Sequence, residues 1–198
     1  MPGASALGPL LAPRLPALTA CLAVAGFLAL EGRSRGDAPA RSLAADESDR
    51  GTTRAVGAAF AGALIGPPVL AALPAPRLSP TAGWVGAALA AAGTGLRLAA
   101  AQSLGTSYTR TLRVRDDQAV VETGLYAHVR HPGYAGTLAL LLGYALSWQS
   151  AAALLPVLPL VPAYTRRMAA EEQLLEAELG QAYTNYRRRT RRVLPGIY

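Results

Sequence analysis

The sequence predicts an all-α, polytopic integral membrane protein with about five transmembrane helices and a cytoplasmic C-terminal helix. Three observations lead to this fold class. Hydrophobic residues make up 52% of the 198 residues and charged residues only 16%. The apolar residues form long runs instead of alternating at short intervals, which is typical of membrane spans. The arginines flank these runs and are nearly absent within them.

The five apolar runs are the predicted spans. They cover residues 15–30, 55–75, 81–101, 132–150 and 151–168. The first run resembles a signal peptide, but only Arg14 precedes it and no clear cleavage pattern ends it, so a retained helix is favoured. Trp148, Gln149 and Ser150 predict a tight helical hairpin. Three prolines in the fifth run predict an irregular helix beside a cavity.

The spans divide the chain into two predicted domains. Residues 1–80 would hold two transmembrane helices and the polar cytoplasmic loop 31–54. Residues 81–198 would form the functional core, with three transmembrane helices followed by a polar helix over residues 169–186. Small residues at Gly62 and Gly66 predict close helix packing within one bundle.

The charges predict the orientation in the membrane. All 19 basic residues are arginine and the net charge is +7. Five spans place 17 of these arginines on the side that holds the C-terminus, so the positive-inside rule makes that side cytoplasmic. Because the arginines flank apolar runs, they indicate a membrane topology and no nucleic-acid partner. The lone Cys21 provides neither a disulfide framework nor a metal site.

The stretch Gly124–Gly136 holds both histidines of the chain and opens the fourth apolar run. Pro132 suits the first position of a helix and disfavours helical angles at the residue before it. His131 is therefore predicted to be the helix N-cap, with Arg130 one residue outside. A helix N-terminus carries unpaired N–H groups and partial positive charge, so it favours a carboxylate or phosphate.

A second polar group follows the fifth run and includes Arg167, Glu171 and Glu172. A short hairpin between spans four and five would return this group to the same membrane face as His131. A cationic helix start would then face two carboxylates at the edge of the membrane. Such a site suits a zwitterion, for example an amino acid moiety.

Simpler interpretations exist for the same residues. Arg130 and His131 alone are equally well explained as positive-inside flanks. Arg167 and Glu171 are spaced as a surface ion pair on one helix. Arg97 lies near the end of the third run, where snorkelling to the interface is favoured over a polar cavity.

The tail also allows simpler interpretations. Tyr183 and Tyr186 could be anchors at the membrane interface. The run Arg187–Arg192 is interpreted as a contact with phospholipid headgroups.

Several motifs over residues 95–195 resemble the isoprenylcysteine carboxyl methyltransferase family, within the phospholipid-methyltransferase-like membrane enzymes. The resembling motifs are Leu104-Gly105-x-x-Tyr108, Gly124-Leu125-Tyr126, Arg130-His131-Pro132-x-Tyr134-x-Gly136, Glu171-Glu172-Gln173-Leu174-Leu175 and Leu179-Gly180-x-x-Tyr183-x-x-Tyr186. The arginine–histidine–proline motif followed by the glutamate pair is the most specific of them. The two N-terminal spans show no comparable resemblance, and the spacing in residues 109–119 departs from the family's eukaryotic members.

The resemblance implies a methyltransferase that uses S-adenosyl-L-methionine without a Rossmann domain. The residues that it implies for cofactor binding are Tyr126, Arg130, His131, Pro132, Gly133, Tyr134, Glu171, Gln118 and Val121. Among them, Glu171 would bind the ammonium group, and the segment Gln118–Val121 would lie along the cofactor. Arg167 would act on the substrate side. His128 is the candidate base for an amine or phenol acceptor.

The resulting expectation is methyl transfer to a lipophilic acceptor, with a carboxylate such as a prenylcysteine-like acid preferred. A lipid amine, thiol or phenol is the alternative acceptor. Non-enzymatic alternatives are a five-span scaffold or part of a transporter, and a reductase with a related fold would bind a nicotinamide instead. The expected location is a bacterial inner membrane, with the cofactor entering from the cytoplasm.

Overall fold

The computed structural model describes residues 14–33, 51–104 and 120–193. Within these ranges the chain is helical, which confirms the predicted all-α class. The five α-helices are α1 (Leu15–Arg33), α2 (Thr52–Ala71), α3 (Pro80–Leu104), α4 (Pro132–Ser147) and α5 (Leu160–Arg189). Two 3-10 turns precede α4 and α5, at Gly124–Ala127 and Ala152–Val157.

Two of these helices, α2 and α3, are long and apolar enough to cross a membrane, and α1 is a shorter apolar helix. Helix α4 has 16 residues, about 24 Å of rise, which is less than the hydrocarbon thickness of a typical bilayer. Helix α5 has 30 residues but turns polar after its first third. The count of five spans therefore stays a prediction.

Large apolar side chains cover the outside of the bundle. Leu22 is 73% exposed, Ile65 67% and Val161 56%, and they lie on three different helices. Exposed apolar surface of this extent marks a face that is covered by a partner or by lipid. The pattern agrees with the long apolar runs of the sequence.

Helices α3 and α4 share the most extensive helix interface, and glycines form it. Gly86 and Gly93 of α3 face Gly136 and Gly143 of α4, with a spacing of seven residues on each helix. A Cβ atom on Gly93 would lie 2.3 Å from the backbone nitrogen of Leu140. Small residues at such a seam let two backbones approach closely.

The Gly62 and Gly66 pair predicted from sequence plays a smaller part. A Cβ atom on Gly66 would lie 2.4 Å from Pro156, but one on Gly62 would meet nothing within 4 Å. Only one of the two glycines is therefore at a close contact. The main seam of the bundle lies between α3 and α4 instead.

The predicted tight hairpin at Trp148–Ser150 is wrong, because twelve residues separate α4 from α5. Gln149, the second residue of this connection, has a positive φ of 54°. The 3-10 turn with Pro156 follows, since proline cannot donate the helical hydrogen bond. Pro159 is then the N-cap of α5. The helix therefore begins at Leu160 and not at the start of the fifth run, and its first turn is regular.

Helix α5 runs back along α4 and reaches the level of His131 at Glu172. The predicted polar helix 169–186 is thus the continuation of the fifth run in one long helix. The helix breaks at Gly180, whose φ of 56° and ψ of −130° are not helical. After Thr190 the chain turns back and runs beside the segment that precedes α4.

Candidate functional site

A buried carboxylate, Glu172, is the centre of the polar cluster. Its side chain is 2% exposed. Arg130 Nε donates to Oε1 at 2.9 Å, Arg192 Nη2 donates to Oε2 at 2.6 Å, and His131 Nε2 lies 3.2 Å from Oε1. A buried carboxylate is tolerated only when such partners satisfy it. Glu172 therefore ties α5, the segment before α4 and the C-terminal segment together.

The surroundings of Glu172 keep it ionised. Burial alone would raise the pKa of this carboxyl, but hydrogen bonds from His131, Arg192 and Arg130 outweigh burial. Its pKa is therefore well below the ordinary value of 4.5.

Backbone hydrogen bonds fix the C-terminal segment beside the start of α4. Arg130 N donates to Arg191 O at 2.8 Å, and His131 N donates to Arg192 O at 3.0 Å. In return, Arg191 N donates to His128 O at 3.1 Å. These bonds bring Arg192 to Glu172, a contact that the sequence did not reveal.

The tail arginines pair with carboxylates of the protein. Arg187 Nη1 lies 2.6 Å from Glu176, and Arg189 Nη2 lies 2.9 Å from Glu122. The side chains of Arg187 and Arg189 are 43% and 62% exposed, so these ion pairs lie at the surface. The interpretation of this run as a headgroup contact therefore stays a prediction.

The guanidinium of Arg130 also belongs to this scaffold. Besides Glu172, it donates to the carbonyl oxygens of Arg187 and Thr190. Its side chain is only 9% exposed. Arg130 and His131 thus share Glu172 Oε1 as a hydrogen-bond partner, a contact that the sequence did not predict.

The outer layer of the cluster consists of Glu171, His131 and Tyr134. Tyr134 Oη donates to Glu171 Oε2 at 3.0 Å, and His131 Nδ1 lies 3.8 Å from the same oxygen. His131 therefore lies between the two carboxylates, with Nε2 toward Glu172 and Nδ1 toward Glu171. Glu171 is 31% exposed, in contrast to Glu172. The cluster thus has one saturated carboxylate and one accessible carboxylate.

The start of α4 agrees with the prediction. His131 is the N-cap, Pro132 is the first helical residue, and no side chain caps the first turn. A Cβ atom at Gly133 would lie 2.5 Å from Arg97 Nη1, so a guanidinium covers this turn.

Arg97 is held inside the bundle. Its Nε and Nη2 donate to Glu31 Oε1 of α1 at 3.1 and 3.0 Å. The interpretation of Arg97 as a snorkelling residue is wrong, because its guanidinium is tied to α1 and contacts α4. The Arg97–Glu31 ion pair therefore lies beside the first turn of α4.

Arg167 is buried at 5% exposure and faces α2. Its Nη1 lies 3.0 Å from the hydroxyl oxygens of both Thr52 and Thr53. The interpretation of Arg167 as part of a surface ion pair is therefore wrong. Thr52 and Thr53 gave no signal in the sequence, because they lie outside the resembling motifs.

Of the remaining predicted residues, the structure describes Tyr126, Val121 and His128. Tyr126 is buried, its hydroxyl lies 3.5 Å from Ala100 O, and its own carbonyl accepts from Tyr186 Oη at 2.8 Å. Val121 is half-buried and His128 is exposed. The His128 side chain thus lies outside the buried cluster. Gln118 lies outside the described residues.

Tyr183 and Tyr186 are both buried, at 3% and 4% exposure, so their interpretation as interface anchors is wrong. Burial raises the pKa of Tyr186 to about 12 and also raises the pKa of Tyr183. Within the part of the chain that the structure describes, the buried hydroxyl of Tyr183 has no hydrogen-bond partner. Neither feature was visible in the sequence.

The profile of the isoprenylcysteine carboxyl methyltransferase family matches residues 86–177. The matched region contains the glycine seam, the start of α4 and both glutamates of α5, and it excludes α1, α2 and the C-terminal segment. No curated protein matches the sequence.

The fold is similar to that of the eukaryotic intramembrane Ras methyltransferase ICMT (isoprenylcysteine carboxyl methyltransferase). The TM-score is 0.56 at 20% sequence identity, and the match covers 89% of this chain and 63% of the other. The present chain thus matches less than two thirds of that protein's length. The resemblance that the motifs indicate is confirmed over residues 86–177, which match the profile of the isoprenylcysteine carboxyl methyltransferase family.

Proposed function

We propose that this chain is an integral membrane methyltransferase that uses S-adenosyl-L-methionine and methylates a lipophilic acceptor. The observation that carries the proposal is the pairing of an accessible carboxylate, Glu171, with the uncapped first turn of α4. Both features adjoin His131, which is the N-cap of α4 and whose Nδ1 lies 3.8 Å from Glu171 Oε2. They supply one acceptor site for an ammonium group and one donor site for a carboxylate.

The residues at the site fit the amino acid end of the cofactor. An ionised carboxylate has about four lone-pair sites, and Glu171 accepts a hydrogen bond from Tyr134 at one oxygen. Capacity therefore remains for an ammonium group. The first turn of α4 carries the partial positive charge of a helix N-terminus, which favours an anion such as the cofactor carboxylate.

The other cofactor contacts follow from the family. Tyr126, His131, Pro132, Gly133 and Tyr134 would contact the cofactor, and Gln118 and Val121 would lie along it. Arg130 would contribute by holding Glu172 in place through a hydrogen bond. Residues 81–198 would carry the methyltransferase core, and residues 1–80 would supply two further spans.

When bound, S-adenosyl-L-methionine supplies a methyl group that its sulfonium already activates. The protein then needs to hold the acceptor in line and keep water out. Arg167 is the residue proposed to orient an acceptor carboxylate, since a guanidinium binds a carboxylate through two hydrogen bonds. A carboxylate has no proton to lose, so no general base is required. The exposure of His128 agrees with this acceptor class.

The acceptor is proposed to be lipophilic because apolar side chains cover the outside of the bundle. A prenylcysteine-like acid would then enter sideways from the bilayer, with its carboxylate toward Arg167. In the proposed topology the chain crosses a bacterial inner membrane five times. The cofactor site and the polar end of α5 would lie on the cytoplasmic side, where the positive-inside rule places most arginines.

The test is methyl transfer by detergent-purified protein. The protein is incubated with methyl-labelled S-adenosyl-L-methionine and one of four acceptors: N-acetyl-S-farnesylcysteine, a long-chain amine, a long-chain thiol or an alkylphenol. We expect base-labile label on the carboxylic acid, as an ester requires. Label on the amine, thiol or phenol instead would reassign the acceptor.

Arg167→Ala is the matching variant, and Arg166→Ala is its control on the same helix, because Arg166 is exposed. Arg167→Ala should lose most of its turnover with the acid, leave a measurable residual activity, and keep cofactor binding. Absence of transfer to every acceptor by well-folded protein that also binds no cofactor would favour the scaffold interpretation.

A further inference from the structure

The first turn of α2 reaches into the site from outside the family region. Gly51 precedes it with a left-handed φ of 76°, which glycine adopts without strain. Thr52 then follows as a buried residue at 8% exposure, although it begins an apolar helix. Its side chain and that of Thr53 both face Arg167 of α5.

Both hydroxyls accept from the same nitrogen of Arg167. Nη1 lies 3.0 Å from Thr52 Oγ1 and 3.0 Å from Thr53 Oγ1. One guanidinium Nη carries two hydrogens, so the two threonines can use both. The position of Nη1 is then fixed at two points. Because the guanidinium is planar and rigid, the direction of its Nε–Nη2 edge is fixed as well.

Hydroxyl acceptors have a further consequence for charge. Arg130 and Arg192 are bound by the carboxylate of Glu172, which offsets their charge. A threonine hydroxyl fixes a guanidinium without adding a negative charge. The contacts from α2 therefore orient Arg167 without themselves offsetting its positive charge.

We infer that Thr52 and Thr53 are positioning residues that act through Arg167 to aim its guanidinium at the acceptor carboxylate. The inference rests on the proposed function. It makes α2, which lies outside residues 86–177, a functional part of the site.

The test uses Thr52→Val and Thr53→Val, singly and together, because valine keeps the shape of threonine and removes the hydroxyl. Thr52→Ser and Thr53→Ser restore a hydroxyl. The control is Thr165→Val, since Thr165 is on the same helix as Arg167 and its hydroxyl donates to Val161 O of that helix. Methyl transfer to N-acetyl-S-farnesylcysteine and cofactor affinity by calorimetry are measured for each.

We expect the double valine variant to lose about tenfold or more in kcat/KM for the acid, the size expected for lost hydrogen bonds to a charged group. Its Kd for S-adenosyl-L-methionine should stay within about twofold, and the serine variants should recover most of the activity. In an Arg167→Ala background the valine changes should cause no further loss, because residues that act through one group are not additive.

Unchanged activity of the double valine variant, or a further loss in the Arg167→Ala background, would overturn the inference while the proposed function stands. A wild-type protein without methyl transfer would overturn both. If the double variant does not fold, Thr53→Val alone is used, since Thr53 is only half-buried.

Discussion

Glu172→Gln tests whether the buried carboxylate holds the site together. Glutamine keeps the shape of glutamate and removes the charge, and it places an amide NH₂ against guanidinium donors. The variant leaves Arg130, His131 and Arg192 without their shared anion. Breaking a buried ion pair by removing one partner costs about 3–5 kcal/mol. The side chain of Arg192 is 20% exposed and recovers some hydration, so we expect about 3 kcal/mol.

The pH dependence follows from the lowered pKa of Glu172. Because its pKa in the folded protein is below the ordinary value of 4.5, the unfolded state binds the proton more readily. The stabilisation by the ionised group is complete above pH 4.5 or so and declines as the pH falls toward the folded-state pKa. The stability difference between wild type and Glu172→Gln should therefore be constant between about pH 6 and 8 and shrink below about pH 4.5.

The assay is thermal or denaturant unfolding in detergent across this pH range. Glu178→Gln is the control, because Glu178 is an exposed glutamate of the same helix. Unfolding of Glu172→Gln at the same midpoint as wild type at pH 7 would show that Glu172 does not hold the site together. A stability difference that grows on acidification would refute the assigned ionisation.

Two further predictions concern packing and an unpaired hydroxyl. Gly93→Ala should destabilise the protein by about 1–3 kcal/mol, because the added methyl meets the backbone of α4. Gly62→Ala should be neutral, because its methyl meets nothing within 4 Å. Equal unfolding midpoints for the two variants would contradict the close approach of α3 and α4 at their glycines. Tyr183→Phe should leave the free energy of unfolding unchanged or raise it by about 1 kcal/mol, because the lost hydroxyl has no partner among the described residues. Tyr186→Phe should lower it by about 1 kcal/mol through loss of the bond to Tyr126 O, and a matching loss in both variants would show that Tyr183 is paired.

The start of α4 was predictable because it depends on neighbouring residues. Pro132 restricts its own φ and the conformation of His131, so these two adjacent residues determine both the helix start and the N-cap. The meeting of His131 with the glutamates was also predictable, because it requires only that α5 return along α4. These features are local or depend on one chain reversal.

The partners of Glu172 were harder to predict from the sequence. Glu171 and Glu172 are adjacent and look equivalent in sequence, but the helix turns one toward solvent and buries the other. Arg192 reaches Glu172 only because the helix breaks at Gly180 and the chain turns back after Thr190. Such a contact depends on several backbone angles far along the chain. No periodicity indicates it.

The glycine seam was missed for a related reason. In a chain with 20 glycines, a spacing of seven on two separate helices does not stand out. The seam becomes visible only when α3 and α4 are placed side by side. Thr52 and Thr53 were missed because nothing in their own segment distinguishes them from a helix start.

The most direct test of the proposed function is the affinity for S-adenosyl-L-methionine. Isothermal titration calorimetry is performed on detergent-purified wild type, Glu171→Gln and Glu178→Gln. We expect that wild type binds, that Glu171→Gln binds more than about tenfold more weakly, and that Glu178→Gln binds like wild type. Absence of binding by folded wild type, or equal affinity of the two variants, would contradict this expectation.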